Sequence, residues 1–410
     1  MELKFRDKIG EKTKKLAIFS LPALLLAFPI ATIVQLVRSL LRFRFVLPHT
    51  KGEDIHLDSE VKTNYAIVRH LRAIPYHKEK AYIPQSVFTV MAETIPFLLN
   101  SLKITAGLLY PYPPEFEPIL FESKDGTPIC CLVATKKEPA PALIIVHGFF
   151  SCKNSLLIQD LAFKAFYEWG FHVLVLDLRG CGESARFSNA PMSFGYRESD
   201  DILQAALILD SNELVTGVGV IGFGTGGASA LLAASRSGVQ GPIAGGVMSV
   251  CTFSSARRAL DSFSRLSGKE LPPITLRLVL KLMLGIKTAF SGPKPLFDFE
   301  KYVREVTAQY YEIEEDELLM KSSPINSIRR IEVPCILVHS QNDQVIPVKD
   351  ALEIESEARD NPMVEVLVIP DGGHTLHQIR CKDWFYRIVK AFFTYWGEFA
   401  KESINKNSVK

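Results

Sequence analysis

The chain has 410 residues, of which 47% are hydrophobic, so it is long enough for one large core with an appended segment. Its 47 basic and 45 acidic residues give a net charge of +2, which argues against a nucleic-acid-binding protein. The mean hydropathy of +0.13 is high for a wholly soluble protein and indicates a membrane-associated segment.

Cysteine usage favours a reducing compartment. The seven cysteines are scattered, their number is odd, and no two have the spacing of a paired zinc ligand set. The pattern predicts buried thiols in place of disulfides, with no metal and no cofactor.

The first candidate element is an apolar stretch near the N-terminus. Leu16–Val37 is 22 residues without a charge, and a helix of that length crosses a hydrocarbon core of ~30 Å. Pro22 and Pro29 interrupt it, which a membrane helix tolerates. We expect residues 1–44 to form a single membrane anchor. A signal peptide and a buried or surface-lying helix stay open as alternatives, and basic residues on both flanks leave the orientation of the main domain undetermined.

A connecting region, residues 45–115, follows the anchor. Within it, Val87–Leu108 is apolar but carries charges, which predicts an amphipathic helix that packs on the main domain or lies on the bilayer. A proline cluster at 111–114 marks the end of this region.

From residue 116 onward, short apolar runs alternate with helical stretches, which predicts an α/β domain with a mostly parallel sheet and helices on both faces. We assign this core to residues 116–252 and 331–400, followed by a tail at 401–410. The predicted strands are Ile119–Glu122, Ile129–Ala134, Ala142–Val146, Val173–Leu176, Val218–Phe223, Ile243–Val250, Cys335–His339 and Val364–Ile369. The predicted helices lie near 158–169, 199–210, 226–236, 348–359 and 380–400.

Residues 253–330 separate two predicted strands and are too many for a simple crossover, so we expect a cap insertion there. Thr275–Lys287 within it is basic and amphipathic. Two interpretations stay open: a cap helix with its apolar face on the core, or a helix that touches anionic lipid.

Four local motifs carry the chemistry, and each follows a predicted strand. The first is His147-Gly148-Phe149, where a backbone N–H after the turn suits an oxyanion hole. The second is the glycine-containing loop 177–184, in which Glu183 and Ser184 are expected to close their own turn. The third is Gly222-Phe223-Gly224-Thr225-Gly226-Gly227 before an Ala-rich helix, and the fourth consists of Asp343 and His374.

Together these motifs resemble the α/β-hydrolase superfamily, especially its serine aminopeptidase and monoglyceride lipase branch, over residues 116–400. Elbow, acid and histidine occur in the order of that family. The resemblance implies an α/β-hydrolase fold with Asp343 as the triad acid and His374 as the base. It also implies that Phe149 and Thr225 supply the oxyanion-hole N–H groups.

The chain departs from the family pattern at the nucleophile. The family frame is Gly-x-Ser-x-Gly, whereas this chain has Gly224 at the serine position. Acyl-enzyme chemistry requires an oxygen or sulphur nucleophile there. Glycine also relieves the strain that a positive φ imposes on other residues, so the replacement removes activity while the fold is kept.

Four alternatives stay open at this point. Thr225 would be the nucleophile if the Gly-x-Ser-x-Gly pattern were shifted by one residue. Cys251 or Ser249 would be the nucleophile if either approached His374 from the next strand. Without any nucleophilic side chain, His374 would activate a water molecule. The same six residues also match the dinucleotide pattern G-x-G-x-x-G, but no acidic residue follows near 243–251 to bind a ribose.

The sequence therefore predicts a membrane-associated hydrolase-family protein without serine-nucleophile catalysis that binds an ester-like or lipid ligand. The alternative is an active esterase-, lipase- or peptidase-like hydrolase that uses His374 and Asp343 with water or Thr225. A scaffold with no pocket function is the third hypothesis.

Overall fold

The computed structural model describes four stretches of the chain, which all belong to one compact unit comprising Gly52–Leu266 and Asp298–Lys410. The described residues are 63–78, 111–149, 151–265 and 299–407. The predicted anchor at Leu16–Val37, the predicted helix at Val87–Leu108 and the basic run at Thr275–Lys287 lie outside them. Within the described stretches, no helix combines the length and apolar character needed to span a bilayer.

A single sheet of eight strands forms the centre of the unit. Its strands are β1 Glu117–Glu122, β2 Pro128–Ala134, β3 Ala140–Val146, β4 His172–Leu176, β5 Val215–Phe223, β6 Val247–Val250, β7 Cys335–Ser340 and β8 Val364–Ile369. Their order across the sheet is β1-β2-β4-β3-β5-β6-β7-β8. β2 pairs antiparallel with β1 and β4, and all other neighbours are parallel. The carboxyl ends of β3 to β8 therefore share one edge.

Helices connect most of the parallel strands. They are α1 Asn64–Arg72, α2 Leu156–Phe163, α3 Ser184–Phe187, α4 Glu198–Asp210, α5 Thr225–Ser237, α6 Ala256–Arg265, α7 Phe299–Tyr302, α8 Ala308–Tyr310, α9 Glu315–Lys321, α10 Val348–Glu357, α11 His377–Arg380 and α12 Lys382–Asn407. A π-helical segment, Lys164–Glu168, extends α2, and a second one, Val303–Thr307, joins α7 to α8. Short 3₁₀ turns at Pro324–Asn326 and Ile328–Arg330 precede β7.

Both faces of the sheet are covered from β2 to β8, which is why these strands are largely apolar runs, whereas the edge strand β1 is exposed. Along β3, Leu143 and Ile145 belong to one buried cluster, whereas Ile144 and Val146 belong to the other. This alternation follows from the two-residue repeat of a strand. The first cluster contains side chains of α1, α2 and α12, and the second contains side chains of α4, α5 and α10.

The predicted strand Ile243–Val250 is shorter than expected, because β6 begins only at Val247. The Gly245 N–H donates to the Val218 carbonyl oxygen at 2.9 Å, and Gly246 has a φ of +88°. A residue in the left-handed region cannot continue a strand, so residues 243–246 form a turn.

Helix α1 brings part of the predicted connecting region onto the sheet edge. Asn64 Nδ2 donates to the carbonyl oxygens of Cys335 at 2.9 Å and Met363 at 2.8 Å. The hydroxyl of Thr63 caps the helix by accepting from the Ala66 N–H. The start of the helix is thus fixed against β7 and the turn before β8.

Part of the predicted cap insertion also packs on the core. The hydroxyls of Thr307, Tyr311 and Ser322 donate to the backbone carbonyls of Met192, Pro191 and Ser193, respectively. These bonds fix the 299–330 segment to the loop that follows α3.

Candidate functional site

The turn between β5 and α5 is a tight corner. Gly224 lies at its apex with a φ of +53°, and its N–H donates to the Val250 carbonyl oxygen at 2.9 Å. A Cβ on Gly222 would lie 2.2 Å from the Gly226 carbonyl oxygen, and one on Gly226 would lie 2.3 Å from the His147 carbonyl oxygen. Both glycines are therefore required by close backbone approach. The predicted strand-to-helix corner is present at 218–227.

Gly224 is different from its two neighbouring glycines, because its side-chain direction is open. A Cβ built there has its nearest neighbours on one residue, with His374 Nε2 at 3.6 Å and Cε1 at 3.8 Å. The corner thus directs its apex residue at the imidazole.

His374 and Asp343 form a hydrogen-bonded pair. Nδ1 of His374 lies 2.9 Å from Oδ2 of Asp343, whose side chain is fully buried. The backbone N–H groups of Val345 and Ile346 donate to the other carboxylate oxygen at 2.8 and 2.9 Å. Because an ionised carboxylate only accepts, the Nδ1 proton belongs to this bond, and Nε2 is the nitrogen that faces Gly224.

The electrostatic balance keeps Asp343 ionised. Burial by itself raises the pKa of this carboxyl, but the imidazole of His374, the hydrogen bond to it and the nearby His339 lower it, and the resulting pKa lies below its usual range. His339 Nε2 donates to the Ile346 carbonyl oxygen at 3.0 Å and lies 3.7 Å from Asp343 Oδ2. Asp343 is thus held as an anion that orients His374.

His377 is a buried neighbour of the His374–Asp343 pair. Its side chain is buried, Nε2 lies 3.2 Å from the Ser340 hydroxyl, and the ring packs on Phe385. Burial, followed by the neighbouring His339, lowers the pKa of His377 to about 3, so this imidazole is neutral at physiological pH. A Cβ on Gly372 would lie 2.7 Å from His377 Nε2, so the ring packs against the loop that carries His374.

The two predicted oxyanion residues flank the corner. Phe149 follows β3, and its ring contacts those of Phe194 and Phe299 at centroid distances of 6.0 and 5.5 Å. Thr225 is the first residue of α5, so its N–H is among those that a helix leaves without an intrahelical partner. The Thr225 side chain is buried, and its hydroxyl has no hydrogen-bond partner among the described residues.

A buried ion pair that the sequence did not reveal holds the loop after Phe149. Lys153 Nζ lies 2.6 Å from both Asp177 Oδ2 and Glu183 Oε2, and the Lys153 N–H donates to Asp177 Oδ1 at 2.7 Å. Burial lowers the pKa of Lys153, but the two carboxylates outweigh it and raise the pKa above its usual range. A single lysine in a polar loop carries no sequence signal of this role.

The loop 177–184 closes as predicted and also binds Lys153. The Ser184 hydroxyl donates to the Asp177 carbonyl oxygen at 2.8 Å, and the Glu183 N–H donates to Asp177 Oδ2 at 2.8 Å. His147 Nε2 accepts from the Leu178 N–H at 3.0 Å. The first two motifs are therefore joined by hydrogen bonds.

Two alternative nucleophiles are buried. Cys251 is fully inaccessible, and burial, together with the Asp343 carboxylate, raises its thiol pKa well above the usual value. Ser249 is also inaccessible, and a Cβ on Gly227 would lie 2.6 Å from its hydroxyl oxygen. Neither side chain reaches the open direction at Gly224.

One group of side chains has a composition suited to a metal ion. Sγ of Cys251, a carboxylate oxygen of Asp343 and a ring nitrogen of His374 all lie within 4.8 Å of one another, which no other trio of such donors does in the described part of the chain. Short-range motifs of the sequence predict no metal site here, because the three residues follow three different strands.

Sequence comparison decides the family. The model of the Alpha/beta hydrolase family matches residues 143–387, which is more than half of the chain. The chain belongs to this family. The predicted superfamily and fold are thereby confirmed, with the eight-stranded, mostly parallel sheet and flanking helices described above.

The chain is also similar to individual proteins, at sequence identities below 25%. The uncharacterized protein YqkD of Bacillus subtilis strain 168 is 24% identical over 61% of this chain and 70% of its own length. The Pyrococcus furiosus esterase Pf2001 has a TM-score of 0.49 and 18% identity over 70% of this chain and 94% of its own. The 2,6-dihydroxy-pseudo-oxynicotine hydrolase has a TM-score of 0.49 and 17% identity over 71% of both chains.

Proposed function

We propose that this α/β-hydrolase-family protein binds an ester-like or lipid ligand in the hydrolase site and has no serine-nucleophile catalysis. Gly224 takes the place of the nucleophilic serine, and Asp343 and His374 take those of the acid and base. Phe149 and Thr225 take those of the oxyanion-hole donors.

The observation that carries this proposal is the position of the missing side chain. The Cβ of a residue at 224 would lie 3.6 Å from His374 Nε2. A hydroxyl one bond further would come within hydrogen-bonding distance of that nitrogen, which is the arrangement that activates a serine. Glycine has no atom there to form an acyl-enzyme.

The remaining groups favour a bound carbonyl compound. Backbone N–H groups at 149 and 225 suit a carbonyl oxygen, and Nε2 of His374 faces the space that the glycine leaves open. The half-buried ring of Phe149 packs on the buried rings of Phe194 and Phe299, and this apolar residue at the proposed oxyanion position suits an acyl ligand.

A second candidate, hydrolysis through water, is favoured by the intact His374–Asp343 bond of 2.9 Å. In this mechanism water loses a proton to Nε2 while its oxygen adds to the carbonyl carbon. The imidazolium, stabilised by Asp343, then returns the proton to the leaving group. Each turnover consumes one water molecule and forms no covalent intermediate.

Membrane association is the other part of the proposal. It is supported by the uncharged stretch Leu16–Val37 and by the basic residues that flank it. Fractionation of the full chain with and without residues 1–44 tests it, and recovery of the full chain in the soluble fraction at high salt would contradict it.

A fluorophosphonate probe tests the assignment of the site. We expect the wild type to remain unlabelled and Gly224→Ser to become labelled, because only the variant has an oxygen opposite Nε2. Labelling is expected to vanish when His374→Ala is added. Gly126→Ser is a matched control, because Gly126 also has a positive φ, of +77°, and no atom within 4 Å of its Cβ direction. A folded Gly224→Ser protein that stays unlabelled would contradict the assignment.

Ester turnover separates the two candidates. A binding protein shows no p-nitrophenyl ester hydrolysis above that of His374→Ala, whereas the water mechanism predicts turnover that His374→Ala and Asp343→Asn both reduce by at least about a hundredfold. Turnover that persists in both variants would contradict the water mechanism.

A further inference from the structure

Cys251, directly after β6, has a backbone conformation that is rare for a residue with a side chain. Its φ is +51°, in the left-handed region that disfavours residues other than glycine, and Thr375, next to His374, has a φ of +56°. The Cys251 thiol donates a hydrogen bond to the Gly373 carbonyl oxygen, with 3.5 Å between Sγ and O. Such strain is typical of residues that are held in position for a ligand.

The strained backbone places Cys251 beside the pair described above. Its Sγ, a carboxylate oxygen of Asp343 and a ring nitrogen of His374 lie within 4.8 Å of one another, and the first two side chains are buried. β6, β7 and β8 are neighbours, so the loops after them meet at the same edge of the sheet. The side chain of His374 is 26% exposed, so one of the three ligand residues is in contact with solvent.

The donor atoms indicate which ion fits. A thiolate, an imidazole nitrogen and a carboxylate oxygen are the ligands of zinc, whereas magnesium and calcium prefer oxygen alone. One thiolate and one carboxylate also balance the charge of a divalent cation. Three protein ligands leave a fourth tetrahedral position for water or a bound ligand.

We infer that Cys251, Asp343 and His374 form a site for Zn²⁺ that goes beyond the proposed ligand-binding function. The ion lies between Asp343 Oδ2 and His374 Nδ1, which move apart from 2.9 Å to about 3.3 Å, while Sγ approaches both. Binding releases the thiol proton of Cys251 to solvent. The proton of His374 moves from Nδ1 to Nε2.

This proton movement changes what the site does. With zinc on Nδ1, the nitrogen that faces Gly224 carries a hydrogen, so it donates to a bound ligand and can no longer accept a proton. Zinc therefore converts His374 from a base into a hydrogen-bond donor, and general-base chemistry stops while the ion is bound.

Cobalt titration of the metal-stripped full chain tests the site directly. We expect one Co²⁺ per chain with a sulphur-to-cobalt charge-transfer band in the near ultraviolet. We expect Cys251→Ser to lose that band and to bind at least about tenfold more weakly. Cys335→Ser, which removes another buried thiol, is the matched control and is expected to keep the band. Absence of the band in the wild type, or its persistence in Cys251→Ser, would overturn the inference.

Probe labelling provides a second test. Zn²⁺ is expected to suppress fluorophosphonate labelling of Gly224→Ser at least about tenfold, and a chelator to reverse this. In Gly224→Ser with Cys251→Ser, the ratio of labelling with and without zinc is expected to stay near one. Suppression of equal size in both proteins would overturn the site. Because the cobalt band does not depend on labelling, failure of the zinc site and failure of the Gly224 assignment are distinguishable.

Discussion

Lys153 and Asp177 form an ion pair in the interior of the protein, with 2.6 Å between Nζ and Oδ2 and no more than 2% of either side chain exposed. The lysine also binds Glu183, so a single cation joins the loop after β3 to the loop after β4. Because Phe149 lies in the first of these loops, the pair positions one of the proposed oxyanion-hole donors.

Lys153→Met is expected to lower the free energy of unfolding by about 3–5 kcal/mol, because it leaves the Asp177 carboxylate buried without its cation. Urea unfolding measures the change. Lys164→Met is the control: Lys164 is equally buried, but its partner Glu168 is 31% exposed and can be hydrated instead. We expect the control to lose at least about 2 kcal/mol less, and equal losses would show that the network has no special role.

The glycines of the corner are expected to differ in their tolerance of alanine. At Gly226 a Cβ would lie 2.3 Å from the His147 carbonyl oxygen, so backbone must move, and we expect Gly226→Ala to cost roughly 3 kcal/mol or more. Gly224→Ala meets only the φ penalty of about 1–2 kcal/mol, because its Cβ has room. Equilibrium unfolding checks the ranking, which would be wrong if Gly224→Ala were the more damaging change.

Acid sensitivity is expected from His377, whose pKa burial lowers to about 3. Because an unfolded chain has a histidine pKa of about 6.5, the unfolded state binds more protons between these values. The unfolding free energy therefore falls as the pH drops from about 6.5 to 3, by up to about 1.4 kcal/mol per pH unit from this residue.

His377→Gln tests this origin of the acid sensitivity. The variant is expected to show a shallower loss of stability across that window, measured by unfolding at a series of pH values. His70→Gln is the control, because His70 is exposed on α1. The same slope in the wild type and in His377→Gln would contradict the assignment.

The adjacent residues Tyr310 and Tyr311 provide a matched pair in the 299–330 segment. Tyr311 Oη donates to the Pro191 carbonyl oxygen at 2.6 Å and accepts from Arg179 at 3.2 Å, whereas Tyr310 is 49% exposed. Tyr311→Phe is expected to cost about 1–3 kcal/mol, because two buried partners lose a hydrogen bond. Tyr310→Phe is expected to be neutral in the same thermal unfolding experiment, and the reverse order would be inconsistent with the described packing.

Much of the fold follows from local sequence pattern. The parallel strands are visible as apolar runs, because both of their faces are covered, and the predicted run Val218–Phe223 leads into glycines that a tight corner needs. Asp343 and His374 each follow such a run, so the topology of parallel strands predicts that both lie at the same edge. The distance of 2.9 Å between them required the coordinates.

Other features were hidden from the sequence. Ile243–Gly246 has the composition of a strand, but close approach of Gly245 to β5 makes it a turn. Lys153 lies in an unremarkable polar loop, and its partners are 24 and 30 residues away. No local pattern encodes contacts that arise only when the two loops fold against each other.

The sequence by itself determined the family, the order of the strands along the chain and the absence of a hydroxyl at Gly224, because these depend on residue identity and short-range periodicity. Only the tertiary structure decided that the open direction at Gly224 faces His374 and that Cys251 lies beside Asp343. Both relationships join residues more than 90 positions apart, and they exist because the loops after neighbouring parallel strands converge at one edge of the sheet.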